Sequence, residues 1–206
     1  MYVPASSAVH DEAHVRAMVG DVASAWLVTA AESGPPAATL MPILWHENRV
    51  IAHMARANPH WRSITDGAPA LMIVHGPEAY ISPSWYATKT EHGRVVPTWN
   101  YLAVHLTGPV HIHQDPQWLR RAVTDLTNHH ERTRAEPWHV NDAPADFVSA
   151  QLRAIVGVEM QVARFEGKAK LSQNRSAPDQ LGVIGGLRRE PQRRDDHAIA
   201  TAMEDG

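Results

Sequence analysis

Ala37-Ala38-Thr39-Leu40-Met41-Pro42-Ile43-Leu44-Trp45-His46-Glu47-Asn48-Arg49-Val50-Ile51-Ala52-His53-Met54-Ala55-Arg56-Ala57-Asn58-Pro59-His60-Trp61 decides the fold. An apolar run ends at Trp45, His46-Glu47-Asn48 turns the chain, and a second extended run covers 49–55. Asn58-Pro59 then starts a helix. Asparagine caps free amides, and proline is favoured at the first helical position, where its missing N–H costs nothing. Gly67 closes that segment, so a short helix is expected over 59–66. Upstream, 26–31 is a continuous apolar run ended by the turn Glu32-Ser33-Gly34-Pro35-Pro36. Three extended runs joined by tight turns form an antiparallel meander.

The flanks complete an α+β pattern. Val15, Met18, Val19 and Val22 recur at helical spacing behind Asp11, a fitting N-cap. Strands are expected at 70–75 and 80–81, with Pro83 ending the second and 84–97 a loop. Residues 98–113 alternate as a long strand, kinked or bulged at Gly108-Pro109. Asp115-Pro116 repeats the cap-plus-proline start of a helix whose stripe is Trp118, Leu119, Ala122, Val123 and Leu126. A helix over 144–153, a long strand over 155–165 and a polar helical end from Pro178 follow. The sum is six or seven mainly antiparallel strands and four or five helices in a barrel-like α+β domain. Residues 1–190 form that single domain and 191–206 a polar C-terminal helix or tail.

Composition removes several function classes. The chain has 206 residues, no cysteine, and 19 Lys+Arg against 22 Asp+Glu. Disulfides, thiolate metal sites and cysteine nucleophiles are excluded. A net charge of −3 is not the basic footprint of a nucleic-acid-coating protein. No targeting segment is visible at the start, and no stretch approaches the roughly 18–20 apolar residues that cross a bilayer. The expectation is a cytoplasmic protein without membrane segments.

Three segments offer chemistry. The turn His53 to Trp61 ends a strand at a helix start, where free amides favour an anion; Arg56 and Asn58 flank it and His60 falls in the first turn. A plain capped helix with a surface arginine is the alternative. In Thr39-Leu40-Met41-Pro42 the proline marks an edge strand or bulge, whose unpaired backbone groups face either a flat ligand or water. In Thr98-Trp99-Asn100-Tyr101 an amide lies between two aromatics, suited to stacking on a ring or to filling a core. The fourteen histidines include His111-x-His113 and His129-His130, but neither pair has further ligands at a metal-site spacing, so no metal site is expected.

The chain resembles the PaiB-type family of FMN-binding, so-called negative transcriptional regulators along nearly its whole length. The residues that carry this are Met1-Tyr2-x-Pro4, Pro36-x-Ala38-Thr39-x-x-Pro42, His53-x-Ala55-x-x-Asn58-Pro59-x-Trp61, Gly76-Pro77-x-Ala79-Tyr80-Ile81-Ser82-x-Ser84-Trp85-Tyr86, Val96-Pro97-Thr98-Trp99-Asn100-Tyr101-x-Ala103-Val104-His105, Ile155-Val156-Gly157 and Lys170-Leu171-Ser172-Gln173-Asn174-Arg175. The resemblance implies a split β-barrel similar to pyridoxamine-phosphate-oxidase-like flavoproteins. It also implies a homodimer with FMN in the groove between protomers. The ring is then expected against Thr39, Leu40, Met41 and Pro42, beside His53, and the phosphate at Arg56, Asn58, His60 and Trp61. Trp99, Asn100, Lys170 and Gln173 are candidates to close the site from the partner. Two positions depart from the family pattern: Ser7 replaces a common aromatic, and Leu40 replaces a common histidine near the expected ring. Arg56 stands at a variable position, so its role rests on the turn geometry.

The functions implied are an FMN-binding regulator, a flavin-dependent oxidoreductase acting on a small molecule, or a haem-binding split barrel. DNA is a further partner the family name suggests. The sequence gives it only Lys168, Lys170, Arg175 and the 188–194 arginines, with no helix-turn-helix.

Overall fold

The computed structural model describes residues 1–31 and 33–205; Glu32 of the expected first turn and Gly206 of the expected tail lie outside the described residues. The chain groups into two compact units: residues 1–18, 75–104 and 166–206 in one, and residues 19–74 and 105–165 in the other.

The second unit is the barrel. Its strands are β2 (Ser24–Thr29), β3 (Ala37–His46), β4 (Arg49–Ala55), β7 (Ile155–Gln161) and the nearer parts of β5 (Ala68–Ile81) and β6 (Thr98–His113). They follow the order β5-β2-β3-β4-β7, and β6 neighbours both β7 and β5, which closes a six-stranded antiparallel ring. Closure pairs most of the edges that an open sheet would leave free. The interior is filled by alternate residues, among them Leu27, Met41, Ile43, Met72, Leu106 and Met160, all under 2% exposed. Helix α3 (Pro116–Glu131), capped by Asp115 accepting from Trp118 N–H, packs with α4 (Ala145–Arg153) through Leu119, Val148 and Leu152.

The first unit is smaller. β1 (Ala8–Val9), β8 (Arg164–Lys170) and the remaining parts of β6 and β5 lie side by side. Helices α5 (Ala177–Arg189) and α6 (Asp196–Asp205) bury Val183, Leu187, Ile199, Ala200 and Met203 with Ile81 and Leu171. The segment expected as a polar C-terminal helix or tail thus carries α6, whose one face buries Ile199, Ala200 and Met203.

Several elements differ from expectation. The run 70–81 is one strand, β5, and 155–165 is broken at Val162-Ala163 into β7 and β8, both neighbours of β6; there Val162 N–H donates to Asn48 O and Ala163 N–H to Thr107 O. The 59–66 helix is a five-residue 3-10 turn, Pro59–Ser63. Ile64 is extended behind it, and Gly67 at φ +73° turns into β5. The 84–97 loop contains α2 (Thr88–His92), stopped by Gly93 at φ +67°. Among the described residues the strands number eight, one more than the upper expectation.

Candidate functional site

β3 changes partners at Pro42. Residues 37–42 pair with β2, Ala37 opposite Thr29 and Pro42 opposite Ser24. Pairing with β4 runs only from Ile43 opposite Ala52 to His46 opposite Arg49. β4 pairs with β7 along its whole length, and beyond Ala52 with β7 alone, His53 opposite Gly157 and Ala55 opposite Ile155. The strands therefore part, and residues 37–42 keep an edge that β4 does not cover. Ile43 N–H donates to Ala23 O, so the nitrogen of Pro42, one residue back, faces the opposite, open side. By the same alternation Ala38 and Leu40 direct their N–H and C=O to that edge. The edge expected from Pro42 is present in half of the strand.

The outer face beside this edge is apolar. Leu40 is 52% exposed and stands opposite Trp26, itself 45% exposed; Trp26 is also opposite Ile73. Half-buried Val28 and Leu71 extend the patch. A contiguous apolar surface of this kind marks an interaction site more often than isolated exposed side chains do. Met41 points the other way, is 1% exposed and turns its main-chain groups to β2 opposite Ala25, so it offers nothing to the open edge.

Thr39, Asn58 and His60 form one hydrogen-bonded corner. His60 is buried, its Nδ1 2.7 Å from Thr39 Oγ1 and its Nε2 2.8 Å from Thr29 Oγ1. Asn58 Nδ2 donates to Thr39 Oγ1 at 3.1 Å, and Asn58 Oδ1 accepts from His60 N–H. The Asn58 cap and the strand edge are thus tied through two threonine hydroxyls and an imidazole. Trp61 Nε1 donates to Arg56 O and pins the bend.

Arg56 is committed to protein acceptors. Its Nε donates to Arg153 O, Nη1 to the Gln114 side chain and Nη2 to Ile155 O, lacing the end of β4 to α4 and β7. Arg62, which the sequence reading passed over, lies over the Trp61 ring at 4.9 Å and makes no hydrogen bond or ion pair among the described residues.

His53 and Pro42 line one cavity with α3, and burial lowers the basicity of His53. Trp118 packs its ring onto Gly157, where a Cβ would lie 2.0 Å from it, and stacks on His113 at 4.1 Å. His53, His60 and His113 all have pKa values depressed by burial. The folded protein then resists protonation that the unfolded chain accepts. Stability is full above the ordinary imidazole value of about 6.5 and falls as pH drops below it. Urea midpoints at pH 8 and pH 5 check this: a lower midpoint in acid is expected.

Trp99, Asn100, Lys170 and Gln173 belong to the other compact unit. Trp99 is 40% exposed, edge-on to Tyr80, with the Arg193 guanidinium 4.8 Å from its ring centre. Lys170 Nζ donates to Trp99 O and Thr98 Oγ1, and burial and neighbouring cations lower its pKa. Asn100 is fully buried, accepting from Ser172 Oγ and contacting Met203 Sδ, so its side chain serves the core. Gln173 accepts from Leu171 N–H and donates to Ala169 O, which shapes the turn after β8. Among the described residues no group of three or more His, Asp or Glu is placed to hold a metal ion.

A family model described as "Putative FMN-binding domain" matches residues 1–164. The chain belongs to this FMN_bind_2 family. Its cofactor is FMN. The chain is 31% identical over 194 residues to "Protease synthase and sporulation protein PAI 2" of Bacillus subtilis, covering 92% of this chain and 90% of that one. An uncharacterized protein of Aspergillus fumigatus is 34% identical over 173 residues, covering 76% of this chain and 63% of that one. Among solved structures, the FAD and haem binding protein of Mycobacterium smegmatis aligns with a TM-score of 0.62 at 14% identity, over 85% of this chain and 78% of that chain. The flavocytochrome Anf3 of Azotobacter vinelandii aligns with a TM-score of 0.57 at 16% identity, over 83% and 70%. At such identities the likeness is one of fold, the split β-barrel. Within this barrel β3 and β4 part beyond Ile43 and Ala52, and Leu40 is exposed beside the uncovered edge. No helix among the described residues is long and apolar enough to cross a membrane.

Proposed function

We propose that the protein is a cytoplasmic homodimer that binds FMN between its protomers and acts as a regulator. The carrying observation is the uncovered edge of residues 37–42 beside the exposed Trp26–Leu40 pair. Ala38 and Leu40 main-chain groups suit the polar rim of a flavin, and Leu40 and Trp26 suit its flat face or a second subunit. The phosphate belongs at the Asn58–His60 corner, with Arg62 as the available cation and Arg56 holding the bend. Bound flavin supplies redox chemistry or a ligand-dependent shape; the chain orients it and shields one face.

The Bacillus subtilis relative is named a protease synthase and sporulation protein, and the regulatory part of the reading rests on the family resemblance. Direct DNA contact is not part of the reading. Lys168 is held against Tyr2 and Tyr101, Lys170 donates to β6, Arg188 pairs with Glu204 and Arg193 with Glu78. A flavin-dependent oxidoreductase is the second reading, favoured by the cavity at Pro42 and His53.

The test is an FMN titration followed by absorbance, with mass measured by light scattering. A flavin spectrum on a dimer is expected; a haem Soret band, or a monomer that ignores FMN, would sink the reading. Asn58→Ala and Arg62→Ala are each expected to weaken FMN binding by about 1–3 kcal/mol, the scale of a hydrogen bond to a charged group. A mobility-shift assay at low salt should show no DNA complex.

A further inference from the structure

The hydrogens of the Thr29–His60–Thr39–Asn58 corner can be counted one by one. A neutral imidazole has one N–H and one bare nitrogen, and a hydroxyl has one hydrogen and two lone pairs. His60 Nε2 lies 2.8 Å from Thr29 Oγ1, and Nδ1 lies 2.7 Å from Thr39 Oγ1. Thr39 Oγ1 also accepts from Asn58 Nδ2, and Asn58 Oδ1 accepts from His60 N–H. Neither hydroxyl has another partner among the described residues. Each tautomer therefore leaves one hydroxyl hydrogen unused. With the proton on Nε2, Thr39 donates to Nδ1 and the Thr29 hydrogen is left over. With the proton on Nδ1, Thr29 donates to Nε2, and Thr39 accepts twice and keeps its own hydrogen. Thr29 is 7% exposed, where a donor without an acceptor is costly. Thr39 is half-buried, on the stretch of β3 that β4 leaves uncovered.

We infer that His60 is fixed as the Nδ1–H tautomer, which makes the Thr39 hydroxyl a hydrogen donor to the phosphate of the bound flavin. The second Asn58 Nδ2 hydrogen is uncommitted as well, on an amide that already touches Thr39. Both Thr39 lone pairs are used, and Asn58 Oδ1 is turned to His60 N–H. The corner thus offers hydrogens and suits a group that only accepts, as phosphoryl oxygens do, rather than a hydroxyl or an amide N–H. The tautomer rests on the bond count alone; that the acceptor is the FMN phosphate rests on the flavin reading. His60 is then a positioning residue, acting through Thr39 without meeting the ligand.

The experiment uses the intact chain labelled with ¹⁵N-histidine at pH 8, with His60 assigned by its absence from the His60→Gln spectrum. Without ligand, Nδ1 should be the protonated nitrogen and Nε2 the bare one; an Nε2–H signature overturns the inference. FMN, and riboflavin, which lacks the phosphate, are then titrated by calorimetry. Thr39→Ser, which keeps the hydroxyl, should hold FMN within about twofold of the parent. Thr39→Val should lose about tenfold or more for FMN and bind riboflavin as before. Asn58→Asp keeps the cap but turns a carboxylate on the phosphate, so it should lose FMN at least as strongly and spare riboflavin. It carries the test should Thr39→Val not fold. FMN held as tightly by the variants as by the parent, or equal losses for both flavins, overturns the inference. FMN binding with His60 protonated on Nε2 defeats this inference alone, and an Nδ1–H His60 in a chain that binds neither flavin defeats the flavin reading alone.

Discussion

Replacing His60 with alanine is expected to lower the free energy of unfolding by about 2–4 kcal/mol. The imidazole is 6% exposed and both its nitrogens are engaged, by Thr29 from β2 and Thr39 from β3. Alanine removes both bonds at once. Two threonine hydroxyls lose a partner and a void opens at the end of the barrel. Thr39 also receives the Asn58 amide, so the corner and the strand edge loosen together. FMN affinity should fall in parallel, although His60 need not touch the ligand. Urea denaturation at pH 8, where imidazoles are neutral, measures the stability loss. A midpoint equal to that of the parent would mean that the threonines do not depend on the ring.

Gly108→Ala should cost a similar amount, about 2–4 kcal/mol, for a different reason. A Cβ there would lie 1.8 Å from Gln161 O, 2.9 Å from Gln161 C and 3.1 Å from Ala163 N. All three are main-chain atoms and cannot rotate aside. Ala163 N–H donates to Thr107 O beside it, so the β7–β8 break is held against β6. The added methyl must push that segment away, and thermal unfolding should show a clear loss. A variant as stable as the parent would mean that the segment yields freely.

Residues 37–61 are legible in the sequence because their signals are local. Pro42 lacks a donor and so declares an edge, and Asn58-Pro59 declares a cap. The family motifs extend this to the split barrel. What stayed hidden depends on pairing at a distance. Gly108-Pro109 reads as a kink or bulge, whereas the glycine is needed because the Gln161 main chain lies where a Cβ would stand. Arg56 reads as an anion ligand by position, but its donors go to Arg153, Gln114 and Ile155, some hundred residues later in two cases. Asn100 sits between two aromatics in sequence, yet strand alternation sends it into the core while Trp99 stays exposed. Trp26 joins the site only through its register opposite Leu40, which no local pattern encodes.

The most direct test of the central claim is amide hydrogen exchange across residues 37–46 with and without FMN. Binding at the parted strand should slow exchange at Ala38 and Leu40, whose N–H groups face the uncovered side, while Met41 and Ile43, on the β2 side, change little. Saturating FMN that protects amides elsewhere and leaves Ala38 and Leu40 unchanged would contradict the account.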